Sequence, residues 1–248
     1  MKQKRTKAIA AITFACSLLL HPLALAGTVT FTPPPENEAP KQTAGGASRN
    51  GTQCLSESTV AELMMPSVQP LMPESRYGTT ISERPTILVY MPETSAPEAF
   101  FILLDENSKV HYKSNIPISG EEGIIAIELP EEAKALEQGK NYQWHFVLKC
   151  NGKLHPRNPS VDGWIKRVEA NGTADPRGNP GATLEDAALL GAAGVWYDTI
   201  ATMALLREAL PTDTEIADNW TNLLGSVGLG AIAPAPMIGT LDSASAMH

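Results

Sequence analysis

Apolar and polar residues alternate most regularly over residues 141–150, where Tyr142, Trp144, Phe146, Leu148 and Cys150 fall on one side and Gln143, His145, Val147 and Lys149 on the other. Successive side chains of an extended strand point to opposite faces, so the pattern predicts a strand whose aromatic face lies in a core. Other short apolar runs between turn residues predict more strands. Residues 87–91 stop at Pro92 and residues 123–129 at Pro130, while 161–168 closes the series. Residues 99–104 end in Asp105-Glu106-Asn107-Ser108, and 109–112 follow as the second arm of a hairpin. The 99–104 run is apolar on both faces, which predicts a central strand covered on one side by an opposing sheet and on the other by a further element. With no helical period between these runs, residues 53–170 are expected to form a β-sandwich of about seven strands, immunoglobulin-like or fibronectin-like rather than a jelly roll.

The period then changes. After a Gly-, Asp- and Pro-rich linker over 171–182, Thr183 and Asp186 have the spacing of a capping box ahead of an apolar run, so a helix is expected to start at Thr183. Trp196, Ile200, Met203, Leu206 and Leu210 recur at helical spacing up to Pro211. A third helix is expected over about 213–227, burying Ile216, Trp220, Leu223 and Leu224. Leu190 and Leu224, like Gly194 and Gly228, stand 34 residues apart, the period of a tetratricopeptide helix pair. Gly194, Trp196, Met203, Leu206 and Pro211 fit that motif's spacing. Residues 183–229 therefore read as about one and a half repeats, too few to stand alone and expected to pack on the sandwich. A flexible tail is expected over 230–248.

The chain start changes the setting. Lys2, Lys4, Arg5 and Lys7, an apolar run over 8–20, the break at His21-Pro22 and Ala24-Leu25-Ala26 before Gly27 have the form of an export leader, residues 1–26. The run is shorter than the roughly 20 residues that span a bilayer, so no integral membrane segment is expected. Removal of the leader leaves 15 Lys and Arg against 27 Asp and Glu, a net charge of −12. Such a surface disfavours nucleic acid, whose binding relies on Lys and Arg displacing counterions. Residues 27–52, with Pro33-Pro34-Pro35 and a glycine-rich stretch, lack apolar periodicity and are expected to be a disordered arm. Loss of Cys16 with the leader leaves Cys54 and Cys150 in an oxidising compartment, where they are expected to pair as a disulfide. The bridge would close a 96-residue separation, worth about 4–5 kcal/mol in the chain-entropy model.

Several stretches together resemble the exported cyanobacterial family catalogued as domain of unknown function 928. They are residues 79–92, 100–106, Tyr142-Gln143-Trp144-His145-Phe146 up to Cys150, Gly163-Trp164-Ile165-Lys166-Arg167-Val168 and Gly194-Val195-Trp196-Tyr197-Asp198. The likeness runs from about Gly45 to Ile232 and rests on the order and spacing of these stretches. Gly45-Gly46 through Cys54 is similar to that family's glycine-rich stretch ending in a cysteine, which supports the Cys54–Cys150 pairing. Thr199 departs from the small Ala more usual there. The resemblance implies an exported protein and carries no catalytic residue.

The chemistry-bearing residues point mostly to structure. No nucleophile elbow, Ser-x-x-Lys pair, His-Glu-x-x-His helix, phosphate loop or EF-hand loop occurs in the sequence. His145 is expected at a solvated strand position, His111 in a hairpin and His155 in a loop, none with a partner at metal-ligand spacing. Glu121-Glu122 and Glu131-Glu132 fall in expected loops, poorly placed for the two carboxylates that glycoside cleavage holds across a cleft. Trp144, Trp196 and Trp220 fit core or helix-packing positions, and Trp164, beside Gly163, is the indole that could face solvent and stack on a sugar. Asn50, Asn171 and Asn219 head glycosylation-type triplets. The expectation is a non-catalytic exported interaction protein, adaptor- or scaffold-like, without cofactor or metal, binding another exported or envelope protein. A module for cell-wall or extracellular polysaccharide is the alternative, and a hydrolytic enzyme stands third.

Overall fold

The computed structural model describes residues 27–34, 54–55, 67–170 and 181–242. The expected leader, residues 35–53 of the arm, residues 171–180 of the linker and residues 243–248 lie outside them. Along the chain, β1 (Gln69–Pro70), β2 (Tyr77–Thr80), β3 (Thr86–Met91), β4 (Glu98–Asp105) and β5 (Val110–Pro117) precede β6 (Gly123–Glu128), β7 (Asn141–Leu148) and β8 (Ser160–Arg167). Helices α1 (Leu184–Ala192), α2 (Trp196–Ala209) and α3 (Thr214–Ser226) come next, then β9 (Met237–Asp242). One sheet has the order β1-β3-β6-β9 and the other β2-β8-β7-β4-β5. The β2/β8 and β6/β9 pairs are parallel and the rest antiparallel.

The alternation along β7 is realised: Tyr142, Trp144, Phe146 and Leu148 are buried and the residues between them half-exposed. They share one apolar core with Phe101 and Leu103 of β4 and with Ile87, Val89, Met91, Ile125 and Ile127 of the smaller sheet. Gly163, paired with Trp144 across β7 and β8, leaves room for that indole, since a Cβ there would lie 2.7 Å from its ring and 2.3 Å from Met72 Sδ.

Helix α2 enters where β2 and β3 lie, and its first two residues act as a wedge. Trp196 Nε1 donates to Leu71 O at 2.8 Å. Tyr197 Oη accepts from Trp144 Nε1 at 2.6 Å and donates to Trp164 O at 3.1 Å. Gly78 of β2 makes space for the phenol ring, where a Cβ would stand 2.9 Å away. Asp198 Oδ2 then accepts from Ile81 N at 3.1 Å. The hydroxyl of Thr199 is satisfied by Val195 O one turn back, so the polar atom at this buried position leaves no orphan. Further along, Ala201, Ala204 and Leu205 lie over Thr86, Leu88 and Ala126. Strand β3 is consequently buried along its whole length, and β6 nearly so.

This placement corrects one expectation. The strand covered on both faces is β3, whereas in β4 Ala99, Phe101 and Leu103 are buried and Phe100, Ile102 and Leu104 stay half-exposed. Among the described residues no helix covers the outer face of β4, so its second apolar side is an apolar face left open there. The capping box is present as expected: Thr183 N donates to Asp186 Oδ2 at 2.8 Å and Asp186 N to Thr183 Oγ1 at 3.2 Å.

Two segments expected to be flexible are built into the fold. Residues 27–34 of the arm cross the helices as an extended strap, with Val29 only 1 % exposed and the Phe31 ring edge-on to Trp196 at 4.8 Å. Val29 N donates to Asn219 Oδ1 at 2.7 Å, and Thr32 N to Gly191 O at 3.0 Å. Gly191 and Gly194 permit this approach, because Cβ atoms there would stand 2.3 Å from Thr30 O and 2.8 Å from Thr32 O. Two apolar side chains two residues apart are too short a pattern to predict an ordered segment, and the acceptor of the Val29 N–H lies 190 residues away in sequence. In the expected tail, Met237–Asp242 forms β9 in parallel with β6, a non-local pairing that leaves no local periodicity.

The 34-residue recurrence has a local cause. Val195 N donates to Leu190 O and Gly194 N to Gly191 O, while Leu229 N donates to Leu224 O and Gly228 N to Gly225 O. Both glycines have positive φ, 76° and 82°. These are two copies of one helix-ending motif, in which a left-handed glycine lets the chain satisfy the last carbonyls.

Trp196→Ala should cost about 3–5 kcal/mol, as loss of a buried large aromatic does, and calorimetry should show the sheets and helices melting in one transition. Tyr197→Phe leaves the Trp144 N–H buried without an acceptor and should cost about 1–3 kcal/mol. The two glycines separate strain from contact. Gly228→Ala meets nothing within 4 Å and should lose only the left-handed penalty of about 1–2 kcal/mol, whereas Gly194→Ala also collides with the strap and should lose more in the same denaturant titration.

Candidate functional site on the open sheet face

Helix α2 covers the outer face of the smaller sheet, and among the described residues no helix lies on the outer face of the larger one. Strand register builds that face in rows. Asn115, Phe100, Val147 and Ser160 stand side by side across β5, β4, β7 and β8; Lys113, Ile102, His145 and Asp162 form the next row; Leu104, Gln143 and Trp164 follow. Phe100, Ile102, Leu104, Val147 and Trp164 are all half-exposed. The result is an apolar group on β4, with Val147 and Trp164, that His145 and Gln143 of β7 interrupt and Lys113, Asn115, Ser160 and Asp162 border.

Polar contacts fix those margins. Gln143 Nε2 approaches Asp162 Oδ2 at 3.4 Å, and Arg76 Nη1 donates to Asp162 O at 3.3 Å. At the other end Lys149 Nζ pairs with Glu98 Oε1 at 2.5 Å and reaches Asn115 Oδ1 at 3.3 Å. The His145 imidazole is held below its ordinary pKa by burial, with the charge of Asp162 opposing that shift. Lys113 and Lys149 place positive charge on this face of an otherwise acidic chain.

The other sequence candidates fall elsewhere. Trp144, Trp196 and Trp220 are buried, with their indole N–H groups on Tyr197 Oη, Leu71 O and Ala233 O. Trp164 alone of the four is half-exposed. His111 Nε2 lies 2.8 Å from Lys134 O with its ring edge-on to Tyr142, and His155 Nδ1 accepts from Arg157 N. Glu121 and Glu122 line an open cleft of about 560 Å³ with Glu93, where Glu122 Oε1 accepts from the Tyr90 hydroxyl at 2.8 Å. Glu131 and Glu132 are exposed. Asn219 is buried against the strap and its amide is used there and on Glu215 O, while Asn50 and Asn171 lie outside the described residues. Among the described residues no group of three or more His, Cys, Asp or Glu could hold a metal, and no helix is long and apolar enough to cross a membrane.

Cys54 and Cys150 form a disulfide with Cα atoms 5.5 Å apart. Cys54 O accepts from Thr94 Oγ1 at 2.6 Å and Ser95 N at 2.8 Å, so these bonds pin Cys54 to the turn between β3 and β4 while the bridge ties it to the end of β7. What the sequence reading missed is the row structure. His145 and Trp164 come together only through strand register, and the doubly apolar 99–104 run is the signal in the sequence of an apolar face there.

A two-sheet domain with a helical layer on one side and an exposed sheet face on the other is the class these features define. The chain belongs to the family described as Domain of Unknown Function (DUF928), whose match covers residues 44–237. No curated protein matches it.

Because the folded chain holds the His145 proton more weakly than the unfolded chain does, the unfolded state binds more protons as pH falls through the ordinary imidazole value near 6.5. The stabilisation is present above that pH and lost below it. His145→Gln should therefore flatten the fall in melting temperature between about pH 7 and 5, and an unchanged profile would place the dependence on other groups.

Proposed function

We propose that this protein is an exported, non-catalytic binding protein that docks a protein partner on the open face of its larger sheet. Strand order supports an immunoglobulin-like reading of the scaffold: β1-β3-β6 and β2-β8-β7-β4-β5 follow the A-B-E and A′-G-F-C-C′ orders of such a sandwich. Glu137 N donates to Tyr142 Oη at 3.0 Å, the bond of a tyrosine corner at the start of β7, the F position of such a sandwich. Trp144, two residues on, stands where such domains carry a cysteine. The departures are β9, parallel to β6 on the edge of the smaller sheet, and a disulfide that ties in residues 54–55 rather than joining the two sheets. Tetratricopeptide-like recognition by the helices has less support, because α2 spends its apolar residues on the sheets and the strap occupies the surface shared by all three helices.

The observation that carries the reading is the half-exposed apolar group Phe100, Ile102, Leu104 and Val147, on a face that no helix covers among the described residues, while α2 packs over β3 and most of β6 on the other sheet. Contiguous apolar surface of this kind marks interaction sites. The half-exposed Trp164, with Gln143 beside it, favours polysaccharide as the second reading, since indoles present a flat apolar face to sugar rings.

One pair of variants distinguishes the two. Purified protein and its Ile102→Asp and Trp164→Ala variants would be used to recover binding partners from the exported fraction and be run through gels containing cell-wall or extracellular polysaccharide. Protein docking predicts a defined partner held by the wild type, at least about tenfold weaker with Ile102→Asp, a change of about 1.4 kcal/mol or more. Gel retardation abolished by Trp164→Ala with Ile102→Asp unaffected would favour the sugar reading and overturn the first.

A further inference from the structure

Strand β5 ends the larger sheet on one side, with β4 as its neighbour and, among the described residues, no strand beyond it. Its hydrogen-bonding phase follows from two bonds. Ile118 N donates to Pro97 O at 3.2 Å and Lys149 N to Glu98 O at 2.9 Å, so Glu98 turns its main chain to β7 while Pro97 and Ala99 turn theirs to β5. Carried along the β4/β5 register, Ala99 with Ile116 and Phe101 with Ser114 are hydrogen-bonded pairs, and the N–H and C=O groups of Lys113 and Asn115 point away from β4. Asn115 O takes the Ser114 hydroxyl at 3.2 Å and keeps a second lone pair. Both residues are exposed, and their side chains stand on the open face beside Ile102 and Phe100.

We infer that this edge pairs with an extended segment of the protein partner, which adds a strand beside β5 and sets a carboxylate against Lys113. The inference rests on the docking reading of the open face and names the part of the partner that docks. Outward N–H and C=O groups on alternate residues are matched by another extended backbone. Charge selects which one. Residues 109–117 carry Lys109, His111 and Lys113 and no Asp or Glu, in an otherwise acidic chain. Lys134, Lys140 and Lys149 are each paired with a glutamate, whereas Lys113 forms no ion pair among the described residues. A second copy pairing through its own β5 would bring the same cations to this edge, and like charges across a strand pair are destabilising. The edge is also short: Pro117 has no N–H to offer, and the register shift at Leu103/Leu104 breaks the regular ladder at the other end. Such features discourage indiscriminate pairing and leave a stretch that suits a short acidic segment.

Amide exchange followed by NMR on the folded protein reads the edge directly. In the free protein the Lys113 and Asn115 amides should exchange at least ~10-fold faster than those of Ser114 and Ile116. A labelled peptide of about eight residues, alternating valine and glutamate, should protect Lys113 and Asn115 and bind at least ~10-fold tighter than a peptide alternating valine and lysine. Lys113→Glu should reverse that preference, and Asn115→Pro, which removes one outward N–H, should weaken the acidic peptide by a similar factor. Slow exchange of Lys113 and Asn115 in the free protein overturns the inference: if it vanishes on dilution a second copy holds the edge, and if it persists the chain itself does. Equal binding of the two peptides, or no protection by the acidic one, overturns it as well. The partner recovered from the exported fraction separates this inference from the reading beneath it. A partner weakened by Ile102→Asp but untouched by Asn115→Pro and Lys113→Glu sinks the edge alone, whereas a partner indifferent to Ile102→Asp sinks the docking reading itself.

Discussion

The hydrogen bond from Trp144 Nε1 to Tyr197 Oη joins the centre of the β core to the start of the helical layer. Burial raises the pKa of the Tyr197 phenol far above its ordinary value, so it stays a neutral donor and passes its own proton toward Trp164 O. Without the phenol the Trp144 N–H would be a costly orphan, since a buried N–H left unpaired forfeits its hydration. Around this bond the neighbouring strands are thinned to glycine, at Gly78 beside the phenol and Gly163 beside the indole. Helix and sheets are thus halves of one core, and the helices cannot be read as a module carried by the sandwich.

The strap extends the same logic to residues 27–34. Phe31 closes the outer side of Trp196, the other half of the wedge, and the strap's amides take up Asn219 and Gly191. Gly191 serves both the ending of α1 and the seat of Thr30, so one residue type meets two constraints. An N-terminal segment rich in proline and threonine can be ordered when the surface opposite supplies acceptors and a close backbone approach.

Packing the helices on one sheet leaves the two faces of the sandwich unequal. The outer side of β3 and β6 is closed by α2, so its apolar residues serve stability. The outer side of β4 and β7 keeps apolar residues with no such helix over them among the described residues, and that asymmetry makes the face a candidate for recognition. His145 sits at the middle of this face, where its depressed proton affinity couples the charge of the surface to mildly acidic pH.

Features that depend on local spacing were legible in the sequence: the alternation of β7, the capping box at Thr183, and the recurrence of Gly194 and Gly228, which reads as a repeat period and is a pair of helix endings. Strand and helix periods and the left-handed preference of glycine are properties of neighbouring residues, so order in sequence suffices to determine them. The strap, β9, the identity of the doubly covered strand and the rows of the open face were decided only by tertiary structure. Each depends on which residue stands opposite another across tens to nearly two hundred positions, and the same apolar strand can become core or open surface according to where a helix comes to rest.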